Sequence, residues 1–299
     1  LLFLAIFSCR KIIELDTGEF SSKMVVSFIF TPNDVWEVKV TNSVPVGKYN
    51  EVKPIKNATV KIFDKNSNFI ETLVYNPTSF ESYISTRGTI GNTKIGETYK
   101  IEVSAPNYET VYAESYIPQP VNIISLDTLG VTLPDGEKSK KVTVHFMDDC
   151  NKKNYYGIKM TSSRYKIKLN IGGVLDTIRL YKSDARLTTL DGGFEEPYTN
   201  THALYFNDDN FNGTTHSFSF IYKLDTLSPS ANKDLFLNSF TFYTFSEDVF
   251  KFRSSLNRYN RNSENPFSQP VKIYSNIKNG LGIFGGFSYR YADFYSNTQ

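Results

Sequence analysis

Met24-Val25-Val26-Ser27-Phe28-Ile29-Phe30, then Thr31-Pro32-Asn33-Asp34, then Val35-Trp36-Glu37-Val38-Lys39-Val40-Thr41 is the stretch that sets the fold class. The first run is apolar and rich in β-branched and aromatic residues, and the next four residues are turn formers. The third run alternates apolar with polar, as a half-buried strand does. The order is strand, turn, strand, and the same pattern continues outward along the chain. Residues 44–56 form a loop carrying Pro45, Gly47 and Pro54. Ala58-Thr59-Val60-Lys61-Ile62-Phe63 alternates again before a turn at 64–68. Further strands are predicted at 70–75, 79–85, 99–104 and 110–116. Short strands at this spacing predict a β-sandwich. Ile117-Pro118-Gln119-Pro120 closes this unit, because prolines this close together end pairing.

Beyond that connector, strands are predicted at 121–126, 142–146, 155–160, 165–170 and 176–181, with Gly172-Gly173 as the hairpin turn between the last two. Residues 182–200, with Gly192, Gly193 and Pro197, read as a polar surface excursion. Strands resume at 217–223 and 236–245. One helix follows: Ser246 caps it, Glu247 and Asp248 suit its positive end, and Val249, Phe252, Leu256 and Tyr259 recur at helical spacing as a packing stripe. Strands at 271–274 and 282–289 flank Asn276-Ile277-Lys278-Asn279-Gly280, whose Asn-Gly pair signals a tight turn. The expectation is an all-β chain: a transthyretin-like or immunoglobulin-like β-sandwich over 23–118, then a second, mainly antiparallel β-rich domain over 119–299 with one short helix.

Composition agrees. A hydrophobic fraction of 40% and a charged fraction of 21% belong to a folded chain with a real core. Phe (24) and Tyr (20) dominate the apolar count, which suits pleated surfaces. With 33 basic against 31 acidic residues there is no nucleic-acid footprint. Two cysteines, Cys9 and Cys150, cannot form a disulfide framework and lack zinc-site spacing. Cys150 follows Asp148 and Asp149, which disfavour its thiolate, and is expected to be packed and inert.

Leu1-Leu2-Phe3-Leu4-Ala5-Ile6-Phe7 is apolar, Ser8 and Cys9 follow, and Arg10-Lys11 end the run. Such a run is too short for a bilayer, which needs about 20 residues. It suits the end of a signal-peptide core, and its last residues resemble a bacterial lipobox. The expectation is a residual signal peptide over 1–8, a lipid on Cys9 and a tether over 9–22, anchored almost permanently by two or three acyl chains.

Catalytic chemistry finds little support. Asp148-Asp149, Glu195-Glu196 and Asp208-Asp209 are adjacent pairs, and neighbours on a strand point to opposite faces. A hydrolase would require carboxylates converging in a cleft. His145, His202 and His216 lack metal-ligand spacing, and no nucleophile elbow accompanies them. Asn207-Asp208-Asp209-Asn210-Phe211-Asn212-Gly213 is the one candidate metal segment. Asp208, Asp209, Asn210 and Asn212 offer oxygens for calcium, although the same residues make a plain turn and no distal bidentate Glu follows. No other cofactor is expected.

The tail, Asn265-Pro266-Phe267-Ser268-Gln269-Pro270-Val271 with Ser275-Asn276-Ile277 and Asn279-Gly280-Leu281-Gly282-Ile283-Phe284-Gly285, resembles the C-terminal signature of a Bacteroidota lipoprotein family known as domain of unknown function 4249. Val25-Val26, Asn57-Ala58-Thr59-Val60, Gly96-Glu97-Thr98-Tyr99, Ile117-Pro118, Asp148 with Asn154-Tyr155-Tyr156, and Phe211-Asn212-Gly213 agree with it. Gly280, Gly282, Gly285 and Gly286 suit turns or close approach to another backbone. The resemblance implies an outer-membrane lipoprotein, held by lipid on Cys9 and often encoded beside TonB-dependent transporters, with no established activity. The expected role is a non-enzymatic accessory or docking subunit of an outer-membrane β-barrel transporter or assembly complex. The alternative is a cell-surface module that binds a glycan or peptide. Cell-surface display is expected, with the periplasmic face as the alternative, because Arg10-Lys11 stands where exported lipoproteins of this phylum often carry acids.

Overall fold

β-Branched and aromatic residues at every second position bury one face of β1 (Met24–Phe30), with Met24, Val26, Phe28 and Phe30 turned inward. The computed structural model describes residues 20–45, 48–87, 93–169, 175–185, 187–190, 203–223, 234–263, 268–269 and 271–297. The first half continues with β2 (Glu37–Asn42), β3 (Thr59–Asp64), β4 (Phe69–Asn76), β5 (Ser82–Ile84), β6 (Thr98–Ser104) and β7 (Val111–Tyr116). The second half holds β8 (Asn122–Thr132), β9 (Lys138–Met147), β10 (Tyr155–Leu169), β11 (Leu175–Asp184), β12 (Leu187–Thr189), β13 (Ala203–Asn207), β14 (Thr215–Lys223), β15 (Asp234–Phe245), helix α1 (Glu247–Ser263) and β16 (Leu281–Asn297). The chain is all-β and sandwich-like, with one α-helix among the described residues.

The larger sheet runs β11-β10-β15-β16-β1-β2-β5-β4-β3-β6-β7, with β13 beside β10, and the smaller runs β12-β14-β9-β8. β16 ties the halves together. Leu281–Gly286 pairs in parallel with β1, and Phe287–Asn297 pairs antiparallel with β15. At the far end, β7 returns to the tail: the Lys278 N–H donates to the Tyr112 carbonyl (2.9 Å).

Two main cores result. In the first, Trp36 is completely buried and meets Tyr99 (5.0 Å), Phe28 and Phe30 (both 5.6 Å), and Phe284 from β16 (6.3 Å). In the second, Phe146 of β9 and Phe218 and Phe220 of β14 face Tyr156, Phe206, Phe240 and Phe242 of the larger sheet. This is the packing of two sheets through their inner faces.

Four expectations need correction. The strands predicted at 155–160 and 165–170 are one strand, β10: Thr161, Ser162 and Ser163 do not break it, because β15 and β11 satisfy both backbone edges, and a bulge at Arg164/Tyr165 absorbs the misfit. The excursion over 182–200 begins as strand, with β11 reaching Asp184 and β12 pairing with β14; residues 191–200, and Gly172-Gly173, lie outside the described residues. Residues 271–274 form no strand, since the Tyr274 N–H donates to Ser255 Oγ on α1 (2.8 Å) instead of to a strand. The helical stripe also rotates. Val249 is buried, Phe252 and Leu256 are half-buried, and Tyr259 is 41% exposed, whereas Phe250, Ser254, Ser255 and Asn257 are buried. Small polar residues face inward because the later turns of α1 lie against tail backbone rather than a greasy sheet. The cap stands as expected, with Ser246 Oγ accepting from the Val249 N–H (3.4 Å).

Candidate functional site

The tail before β16 is held as a ridge. Its anchor is Asn276, whose Nδ2 donates to the Phe284 carbonyl (2.7 Å) while its Oδ1 accepts from the Phe284 N–H (3.0 Å). Asn279 sits in the left-handed region (φ 64), which Asn tolerates, and its Nδ2 donates to the Thr110 carbonyl (3.2 Å). The Tyr274 hydroxyl donates to Asp248 Oδ1 (2.7 Å), and Ser115 donates to Asp248 Oδ2 (3.2 Å). Burial, then the Asp248 carboxylate, push the Tyr274 hydroxyl well above the usual tyrosine range. The glycines behind the ridge permit close approach. A Cβ on Gly282 (φ +113) would lie 1.9 Å from the Val26 carbonyl oxygen, and one on Gly286 would lie 2.4 Å from that of Tyr116.

A cavity opens on each side of this ridge. One, of about 760 Å³, lies against β6 and β7 and is lined by Phe63, Lys100, Glu102, Tyr112, Glu114 and Lys278, together with Asp248 and Tyr274. The other, of about 640 Å³, lies against α1 and the start of β1, where Lys23, Lys251, Arg258 and Lys272 surround Tyr274 and Ser275. Tyr274, Ser275 and Ile277 line both.

A second polar centre lies at one end of the second core. Asp148 and Asp208 are both buried. Asp148 accepts from the Tyr156 hydroxyl and, through Oδ2, from the Gly213 N–H (2.7 Å). Asp208 Oδ2 accepts from the Asn154 N–H (2.7 Å) and Asn154 Nδ2 (3.4 Å). Burial, and then the Asp148 charge, hold the Asp208 carboxyl above the usual aspartate range. The same two causes, with a direct hydrogen bond to Asp148, push the Tyr156 hydroxyl strongly upward. The Tyr156 bond ties β10 to the loop after β9, and the others pin one loop to another.

The family model described as Domain of unknown function (DUF4249) matches residues 10–291. The chain belongs to this family. No curated protein matches this DUF4249 chain. Among solved structures it is similar to a DUF4785 family protein from Legionella pneumophila (10% identity, 75% of this chain and 51% of that one, TM-score 0.21). It therefore spans about half the length of that relative. It is also similar to the collagen adhesin of S. aureus (8% identity, 92% and 95% covered, TM-score 0.21). Likenesses this slight carry no argument.

In this DUF4249 chain the calcium candidates do not converge. Asp208 points inward to Asn154, whereas Asp209 is exposed and pairs with Lys153 Nζ (2.6 Å). Asn207 Oδ1 accepts from the Asp209 N–H (3.1 Å), an Asx turn, and Asn210 and Asn212 are exposed. Among the described residues no three His, Cys, Asp or Glu side chains are grouped as metal ligands. His145 pairs with Asp127 (3.1 Å), and His216 stacks on Phe211 at 4.0 Å. Cys9, Glu195, Glu196 and His202 lie outside the described residues. Cys150 is exposed rather than packed, on the turn after β9, with Gly213 so close that a Cβ there would meet its own at 2.3 Å. What the sequence did not reveal is that Asp148 and Asp208, members of different pairs, meet in one centre. The signal was present, because Asp148, Asn154-Tyr155-Tyr156 and Phe211-Asn212-Gly213 all belong to the family resemblance.

Proposed function

We propose that this chain is a lipid-anchored, non-enzymatic accessory protein of the bacterial outer membrane that docks on a β-barrel transporter or assembly complex through its tail ridge. The observation that carries the reading is the cavity against β7. It is flanked by the outer strand of the larger sheet, and it mixes aromatic, basic and acidic side chains (Tyr112, Lys100, Lys278, Glu102 and Glu114), as a surface for a polypeptide partner does. Support for a non-enzymatic role comes from the buried Asp148 and Asp208, both of which accept internal hydrogen bonds. Support for the anchor comes from the Ser8-Cys9 lipobox and from reach. Residues 9 to 23, fully extended, span at most about 50 Å, so a lipid on Cys9 would keep the ridge near the bilayer. We further propose that the chain is of Bacteroidota type and faces the cell surface.

The test has two arms. In the native host, mass spectrometry of the N-terminus should find a lipidated Cys9, and Cys9→Ala should release the protein from membranes. A photo-crosslinking residue at Lys278 should capture an outer-membrane β-barrel protein, and one at Leu129 should not. An unmodified Cys9, or no adduct at Lys278, overturns the corresponding half.

One observation favours the alternative, a surface module for a glycan or peptide. Tyr289 (44% exposed) and Tyr291 (68% exposed) stand on one face of β16, beside Tyr243, as a platform for stacking. Glycan and peptide arrays that bind the parent but not a Tyr289→Ser/Tyr291→Ser variant would establish it.

A further inference from the structure

β8 is the end strand of the smaller sheet, and among the described residues no strand pairs with its outer edge. Its hairpin with β9 shows which backbone groups face that edge. The Leu133 N–H donates to the Glu137 carbonyl (2.9 Å), and in the same register Val131, Leu129 and Asp127 also turn their N–H and C=O groups toward β9. Leu126, Thr128, Gly130 and Thr132 therefore turn theirs outward. Thr128, Gly130 and Thr132 are exposed, and a Cβ on Gly130 would meet nothing within 4 Å. The strand also lacks the usual safeguards. Natural edges carry lysine, proline or a bulge that blocks pairing. Here the bulge, at Ile123/Ser125, lies near one end, and residues 126–132 hold no lysine or proline and a single charge, Asp127. Leu129, at the middle of that stretch, is 64% exposed.

We propose that this edge pairs with the same edge of a second copy of the chain, antiparallel and two-fold symmetric about Leu129. That register aligns the whole of 126–132 with itself. Leu126 bonds Thr132 of the second copy, Thr128 bonds its Gly130, and both pairs recur across the axis, for about eight hydrogen bonds in all. Leu129 meets Leu129 of the second copy at a non-hydrogen-bonded position, where Cα atoms lie about 4.5 Å apart, so the two exposed leucines cover each other. Charge permits this. Asp127 falls opposite Val131, and the two Asp127 residues stand about 14 Å apart, beyond a screening length. Each Asp127 also has a partner in its own chain, His145 (3.1 Å). A two-fold contact of this kind uses up the edge in both copies, so it closes as a dimer instead of growing. The inference stands apart from the docking reading, because it rests on the smaller sheet and not on the tail ridge.

The experiment is sedimentation equilibrium of the full chain over a range of concentrations, in a Cys9→Ala/Cys150→Ser background that removes both thiols. A monomer–dimer equilibrium is the expected result. Its Kd should rise at least tenfold in Thr128→Pro, which removes only an outward N–H, and in Leu129→Lys, which sets two charges against each other. Far-ultraviolet dichroism of each variant separates a lost edge from a lost fold. Disulfide trapping then reads the register. On mild oxidation Leu129→Cys should crosslink to itself, and Asp127→Cys should crosslink to a chain carrying Val131→Cys but not to itself. A chain that stays monomeric throughout, a dimer that survives both edge variants, or Asp127→Cys that crosslinks to itself as readily as to Val131→Cys would overturn the proposal.

Discussion

Asn276 and Phe284 pair as two strands would, although only one of them contributes backbone. The Asn276 side-chain amide donates to the Phe284 carbonyl and accepts from its N–H, at 2.7 and 3.0 Å. Phe284 is completely buried, so these backbone groups have little recourse to water. Asn276→Leu leaves both unpaired, and Asn276→Asp sets an oxygen against the carbonyl. Each should lower stability by about 1–3 kcal/mol. Urea unfolding curves check this, and unchanged midpoints in both variants would mean the pairing contributes nothing.

Gly282 and Gly130 should answer the same substitution in opposite ways. Gly282→Ala must adopt φ near +113 with its Cβ 1.9 Å from the Val26 oxygen, so β1 and β16 have to part. We expect a loss of more than about 3 kcal/mol, or failure to fold. Gly130→Ala meets nothing within 4 Å and should be neutral or slightly stabilising. Thermal melts of the two variants, side by side, provide the measurement.

Asp208 gives the pH dependence a sign. Its carboxyl is held above the ordinary aspartate value by burial and by Asp148, so the folded chain keeps a proton that the unfolded chain has already released. Its contribution to stability therefore falls as pH rises above about 3.9, and acidification within that window restores it. Asp208→Asn keeps an oxygen for Asn154 and removes the charge. It should melt no lower than the parent near neutral pH, with any gain shrinking toward about pH 4. A clearly lower melting temperature at neutral pH would show instead that the carboxylate is required.

The single tryptophan makes coupling between the cores measurable. Trp36 reports the first core, and far-ultraviolet dichroism reports strands in both. Because β16 belongs to both, the two signals should change together on unfolding, in one transition. Phe284→Ala should lower both by about 3–5 kcal/mol. Separate midpoints would show that the cores unfold independently.

Much of this was legible beforehand for local reasons. Met24 to Phe30 is an apolar, β-branched and aromatic run closed by the turn formers Thr31 to Asp34, which gives β1 its limits, and the tail glycines announced close backbone approach. Ser246 with Glu247 and Asp248 marked the helix start. What failed depended on distant partners. Thr161-Ser162-Ser163 reads as a polar break unless β11 and β15 are known to flank it. Tyr274 looks like strand until Ser255 is found taking its N–H. The inward face of α1 follows from what lies beneath it, and Ser254, Ser255 and Asn257 cannot reveal that alone. The Asp148–Asp208 centre joins residues from separate loops, which no local spacing encodes, and the ridge with its two cavities is likewise a product of tertiary assembly.

The parallel pairing of β1 with β16 also bears on timing. A ribosome delivers this chain from its N-terminus, and Trp36 emerges long before Phe284. Until the last strand arrives, β1 has one open edge and the first core lacks the ring that stacks beside Trp36. The N-terminal half alone is thus an unfinished intermediate, and its sheet closes only when β16 has been made.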